Sequence, residues 1–172
     1  MERKPVIYPL FRILGLYLAI AVFACVSAQE NDADALSAQE LANARAMILE
    51  GREAIIRENL QLTAVEEAAF WPLYENYRAD LLPIQDRSVT LSAGYLRRYE
   101  SGTLTDEYVE KLLESYFDIR SDSLRTRKEY IRQFKKIMPM LKVARFYQLE
   151  TKMHADIDAE LAFLVPLIES NQ

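Results

Sequence analysis

From Thr63 to about Tyr99 the apolar residues Phe70, Leu73, Tyr77, Leu81, Ile84, Leu91 and Tyr95 recur at three- and four-residue steps, with Ser88 keeping the register. That period is the signature of an amphipathic helix with one stripe turned inward. It is far too long, and of the wrong period, for a strand. At 1.5 Å per residue the helix spans roughly 54 Å. Pro72 and Pro83 fall inside it. Each removes a backbone donor, but the stripe continues through both, so a bend is expected and not an end.

The start of this helix is marked by Leu62-Thr63-Ala64-Val65-Glu66. Thr63 and Glu66 have capping-box spacing, in which each side chain satisfies the backbone N–H at the other's position. Leu62 precedes the cap, where a hydrophobic staple begins. The dense patch Phe70-Trp71-Pro72-Leu73-Tyr74 follows. Phe70 and Trp71 could form a platform for a bound polypeptide, but adjacent aromatics next to a helix start favour core and staple.

The other helices follow from similar signals. Ser37-Ala38-Gln39-Glu40 is a second capping box, opening a helix to about Asn59 with Leu41, Ala44, Ile48, Ile55 and Ile56 inward and Gly51 as a weak point. Ser101-Gly102 is a stop, and Thr105 caps a third helix to about Met138. Its expected stripe is Val109, Leu112/Leu113, Tyr116, Leu124, Ile131, Phe134 and Met138. Asp106 and Glu107 suit its positive end, and Lys135 and Lys136 its negative end. After Pro139 a fourth helix places Val143, Phe146, Met153, Ile157, Leu161 and Leu164 inward and ends near Pro166. Period-two alternation is missing, which makes the chain all-α. Two long helices joined by a few residues must lie antiparallel. The expected fold is therefore an elongated antiparallel helical hairpin with flanking first and fourth helices, a single domain over residues 37–168. So thin a body leaves apolar surface uncovered, which favours a homodimer or a partner-binding face.

Residues 1–28 read as a signal peptide. Arg3, Lys4 and Arg12 form a basic leader, Ile13 to Val26 carries no charge, and Val26-Ser27-Ala28 offers small residues for cleavage before Gln29. The apolar run is shorter than the roughly 20 residues a spanning helix needs. A second reading makes Val22-Phe23-Ala24-Cys25 a lipobox with Cys25 lipidated, the only route to membrane contact, although Phe is unusual at its position. Residues 29–36 are polar and expected to be disordered. Cleavage leaves 18 of the 21 basic and 25 of the 26 acidic residues, a net charge of −7. That balance disfavours nucleic acid as a partner. Cys25 is the only cysteine, so the exported chain would rest on its core or on association, with no disulfide.

At Leu62, Thr63 and Glu66 the chain resembles the Spy/CpxP-like family of periplasmic helical proteins, whose helix start reads Leu-Thr-x-x-Gln. Glu66 stands where the family has Gln, a change that capping chemistry accepts. Phe70-Trp71-Pro72-Leu73-Tyr74 and Lys142-Val143-Ala144-Arg145-Phe146-Tyr147-Gln148-Leu149-Glu150 look like a related branch of exported helical proteins. The family repeats its motif at the last helix, where this chain has Met138-Pro139-Met140-Leu141-Lys142. The resemblance implies an ATP-independent periplasmic protein, chaperone-like or envelope-stress related, that holds unfolded clients on a concave helical dimer. Metal-responsive relatives make a sensor or regulator of a membrane partner the alternative.

Chemistry is sparse. From Arg120 to Arg145 nine basic residues stand against Asp122 and Glu129. Arg125, Arg127, Lys128, Arg132, Lys135, Lys136, Lys142 and Arg145 are the candidate client or partner surface, with Tyr130, Phe134, Phe146 and Tyr147 interleaved. Such a face attracts acidic partners at long range. A solvated helix face beside an acidic helix is the plainer alternative, and charge runs on helices favour it. Glu150, His154 and Asp158 share a helix face, but His154 is the only histidine and nitrogen or sulfur ligands for zinc or copper are lacking, so no metal or other cofactor is expected. No nucleophile–base pair or phosphate-cradling loop is visible, so no catalysis is expected.

Overall fold

A computed structural model describes residues 50–168, apart from the side chains at 156, 157 and 159–164. The leader, the segment 29–36, the cap at Ser37 and the inward positions Ile157, Leu161 and Leu164 lie outside what is described. The protein is all-α. Its described elements are α1 (50–60), α2 (Ala64–Glu100), α3 (Asp106–Phe134) and α4 (Met140–Leu164). No helix among the described residues is long and apolar enough to cross a membrane. The helices belong to two compact units: Gln61–Arg145 forms one, and the described residues before and after it form the other.

The capping box of α2 is formed in full. Thr63 Oγ1 accepts from the Glu66 amide at 3.3 Å, and Glu66 Oε2 accepts from the Thr63 amide at 2.7 Å. The position that would complete a staple with Leu62 is Glu67, which instead accepts from the Trp71 indole N–H at 3.2 Å. Trp71 is half-buried, whereas Phe70 is fully enclosed. Pro72 and Pro83 lie on the exposed side of α2, which continues through both.

α2 ends in a left-handed cap. Gly102 has φ 63°, its amide donates to the Tyr99 carbonyl at 3.1 Å, and the Thr103 amide donates to Arg98 at 2.9 Å. These bonds satisfy carbonyls that the helix end would leave open. Only glycine adopts this φ without a Cβ penalty, so Gly102→Ala should lower stability by about 1 kcal/mol, read as a lower urea midpoint. Thr105 Oγ1 then accepts from the Tyr108 amide at 3.2 Å and starts α3.

Contacts between α2 and α3 pair in reversed order along the two helices. Phe70 meets Phe134 at 5.3 Å between ring centroids, and Tyr77 meets Tyr130 at 5.3 Å. Arg87 reaches Asp122 at 2.6 Å, and the Arg98 guanidinium lies 4.3 Å from the centre of the Tyr108 ring. A Cβ added at Gly94 would lie 3.0 Å from the Tyr108 hydroxyl, so the helices approach closely near the turn. The Tyr130 hydroxyl donates to Asp80 at 2.7 Å. Burial and that carboxylate push the phenol up to about 12.

Burial on α3 corrects the expected stripe. Ile119, Tyr130 and Phe134 are its buried residues, while Leu113, Tyr116 and Leu124 are exposed. Leu113 and Leu124 lie roughly 120–140° around the helix from Ile119. α3 carries two apolar stripes, and periodicity alone does not say which one meets α2. On α2, Ser88 is exposed, and Tyr74, Ala93 and Leu96 join the buried set. α3 also ends earlier than expected. Residues 135–138 form a turn whose amides bond back to Ile131, Gln133 and Phe134. Pro139 then offers its carbonyl to the Lys142 and Val143 amides, so proline opens the last helix where no capping threonine stands.

In the other unit Ile55, Ile56, Leu60, Phe146, Leu149 and Met153 are buried. Enclosed with them are two charges: Arg52 Nη2 and Glu150 Oε1 meet at 2.7 Å, each side chain 1% exposed. Gly51 is helical within α1 and interrupts nothing.

Candidate partner-binding surface

The eight basic residues do not form one free face. Arg125 is exposed but paired with Asp122 at 2.7 Å on its own helix. Asp122 also accepts from Arg87, and that bond first, then Arg125, holds its carboxyl below the usual range. Arg127 is half-buried. Lys142 is drawn to Glu66 at 2.5 Å. Lys128, Arg132, Lys135, Lys136 and Arg145 remain exposed.

The Glu66–Lys142 pair gives the helix-start motif a second task. Glu66 caps α2 with one bond and fixes the first turn of α4 with another. Gln at this position would cap equally well but would carry no charge for Lys142. The lysine bond, then the Thr63 amide, hold the Glu66 carboxyl below its ordinary value. A lowered carboxylate contributes stability that is present above the ordinary carboxylate range and lost as the pH falls through the folded value. Glu66→Gln should therefore flatten stability against pH on the acid side, with the two proteins converging at low pH. Parallel curves in pH-dependent urea unfolding would contradict this.

That pair also gathers a surface. It places the first turn of α2 beside the first turn of α4, and the Phe70–Phe134 contact brings the last turn of α3 to the same end of the pair of helices. Around it Val65 is 82% exposed, Met140 56% and Leu141 86%. Lys135, Lys136 and Arg145 are the exposed cations nearest in sequence to Met140 and Leu141. The combination is apolar area to contact and positive charge to attract. Leu141 could have been found from sequence, since it lies two residues before the buried Val143 and so on the opposite side of α4. Val65 likewise lies about 140° around α2 from Phe70, whereas Met140, about 60° from Val143, carried no such signal.

Several of the other candidates have partners of their own. Glu150 is occupied by Arg52, and His154 Nδ1 lies 3.1 Å from the Glu150 carbonyl in a bond within the helix. Met153 is enclosed. Among the described residues no group of three or more His, Cys, Asp or Glu could hold a metal ion. Phe70 belongs to the core of the α2–α3 pair, stacked on Tyr74 at 5.7 Å. Compared with known proteins, the chain matches no family model, and neither a curated protein nor a solved structure shows significant similarity to it.

Proposed function

We propose that this is an exported, periplasmic Spy/CpxP-like helical protein that binds non-native segments of other envelope proteins, without ATP, cofactor or catalysis. The observation that carries the reading is the exposed group Val65, Met140 and Leu141, beside Lys135, Lys136 and Arg145 at one end of the α2–α3 pair. Isolated exposed apolar residues are ordinary, but a cluster of them rimmed by charge marks an interaction surface. Segments that fit it are extended, apolar and acidic. The cations accelerate encounter, and the apolar side chains hold what arrives. The basic leader followed by Val26-Ser27-Ala28 supports export, and the Leu62, Thr63 and Glu66 helix start supports the relationship.

The test is light scattering from an aggregating, chemically denatured client. Near-stoichiometric protein should suppress the signal without ATP, and more strongly at low salt than at high. No suppression at either salt would remove the chaperone-like reading.

A further inference from the structure

The positive charge at the exposed end of the α2–α3 pair continues along α3. Lys128 and Arg132 are exposed on that helix, and Lys135 follows at its C-cap with helical φ and ψ. At 3.6 residues per turn the three lie within roughly 60° of arc, and about 10 Å of axis separates the first from the last. Leu124, 52% exposed one turn before Lys128, borders the same strip. The Phe70–Phe134 contact sets the Lys135 end of the strip at the end of the pair where Val65, Met140 and Leu141 are exposed. The strip leads away from them.

None of these three side chains forms an ion pair among the described residues, not even Arg132 with Glu129 three residues before it. Arg125 is different: Asp122 holds it, and it takes no part. Placement against the helix dipole accounts for cations in the last turn only. Lys128 stands nearly two turns from the end, and four residues from Arg132 it is repelled by a like charge. Neither effect explains its place on this line.

We propose that the strip is the second half of the polypeptide site, and that the segments it takes are bipartite: a short apolar stretch continued by carboxylates at alternate positions. In an extended segment alternate side chains point the same way and repeat every ~6.6 Å. Successive cations of the strip rise by about 6 and 4.5 Å along α3, a difference that long, flexible side chains absorb. Three alternating carboxylates therefore face Lys135, Arg132 and Lys128 in turn, while the apolar stretch lies on Val65, Met140 and Leu141. A wholly apolar segment leaves the three cations unneutralised, and a wholly acidic one leaves the apolar side chains uncovered. The inference rests on the reading that those apolar side chains hold polypeptide, and adds what must adjoin the part they hold.

Fluorescence anisotropy with two labelled synthetic peptides tests this. Both carry the same apolar block, placed at either end in turn; one continues Glu-Ser-Glu-Ser-Glu and the other Gln-Ser-Gln-Ser-Gln. In at least one order the acidic peptide should bind roughly tenfold more tightly at low salt, an advantage lost at high salt. Lys128→Glu/Arg132→Glu should abolish that advantage and leave the affinity for the Gln peptide unchanged, which also shows the variant to be folded. Equal affinity for the two peptides in both orders, or a variant that weakens both alike, would overturn the strip and leave the apolar end standing. Binding of neither peptide would overturn both.

Discussion

Arg52→Ala is expected to destabilise the protein by about 3–5 kcal/mol, a large part of the stability of a domain this size. The guanidinium and the Glu150 carboxylate are both almost wholly enclosed and meet at 2.7 Å. Removing one leaves the other charged in a poorly solvating site, and that orphaned charge accounts for most of the loss. Glu150→Ala should cost a similar amount. The double change Arg52→Met with Glu150→Leu should recover most of the stability, since an apolar pair of similar volume leaves no buried charge. Urea unfolding of the four proteins measures this. Additive losses in the double variant would mean that the two side chains act separately.

The second large effect is expected at Phe134. It is fully enclosed, and its ring centroid lies 5.3 Å from Phe70, 6.0 Å from Tyr77 and 6.4 Å from Tyr130. Phe134→Ala removes the shared member of these contacts and should cost about 3–5 kcal/mol, the sum of lost transfer energy and the cavity left behind. Phe134→Leu keeps much of the volume and should cost less. Chemical unfolding of both variants, followed by tyrosine fluorescence, separates volume from ring contact. A loss below about 1 kcal/mol for Phe134→Ala would mean the aromatic cluster collapses around the gap.

Both ends of α2 and the start of α3 were legible because they are local chemistry, whereas the end of α3 was placed four residues too late. Thr63 and Glu66 lie within one turn, and the Gly102 amide bonds to the Tyr99 carbonyl three residues back. The long stripe of α2 was legible for the same reason, its period being a property of one segment. Pairings across the chain were not. Arg52 and Glu150 are 98 residues apart, and Glu66 and Lys142 are 76 apart. Nothing within either segment names its partner. α3 shows the cost most plainly: of its expected stripe Phe134 is buried but Leu113, Tyr116 and Leu124 are exposed, and Ile119 and Tyr130, outside that stripe, are buried instead. The basic run was visible as a run, but its division into paired and exposed members needed Asp122, Glu66 and Arg87 in place.

We propose that the protein holds non-native polypeptide at the end of the α2–α3 pair where Met140 and Leu141 are exposed. Fluorescence anisotropy of a labelled, permanently unfolded client measures this directly, with the protein and its Met140→Asp/Leu141→Asp variant compared at low salt. Both positions are solvent-facing, so the variant should unfold at the same denaturant concentration. Saturable binding by the protein is expected, and binding roughly tenfold or more weaker for the variant. Equal affinity of the two, or no binding by either, would contradict it.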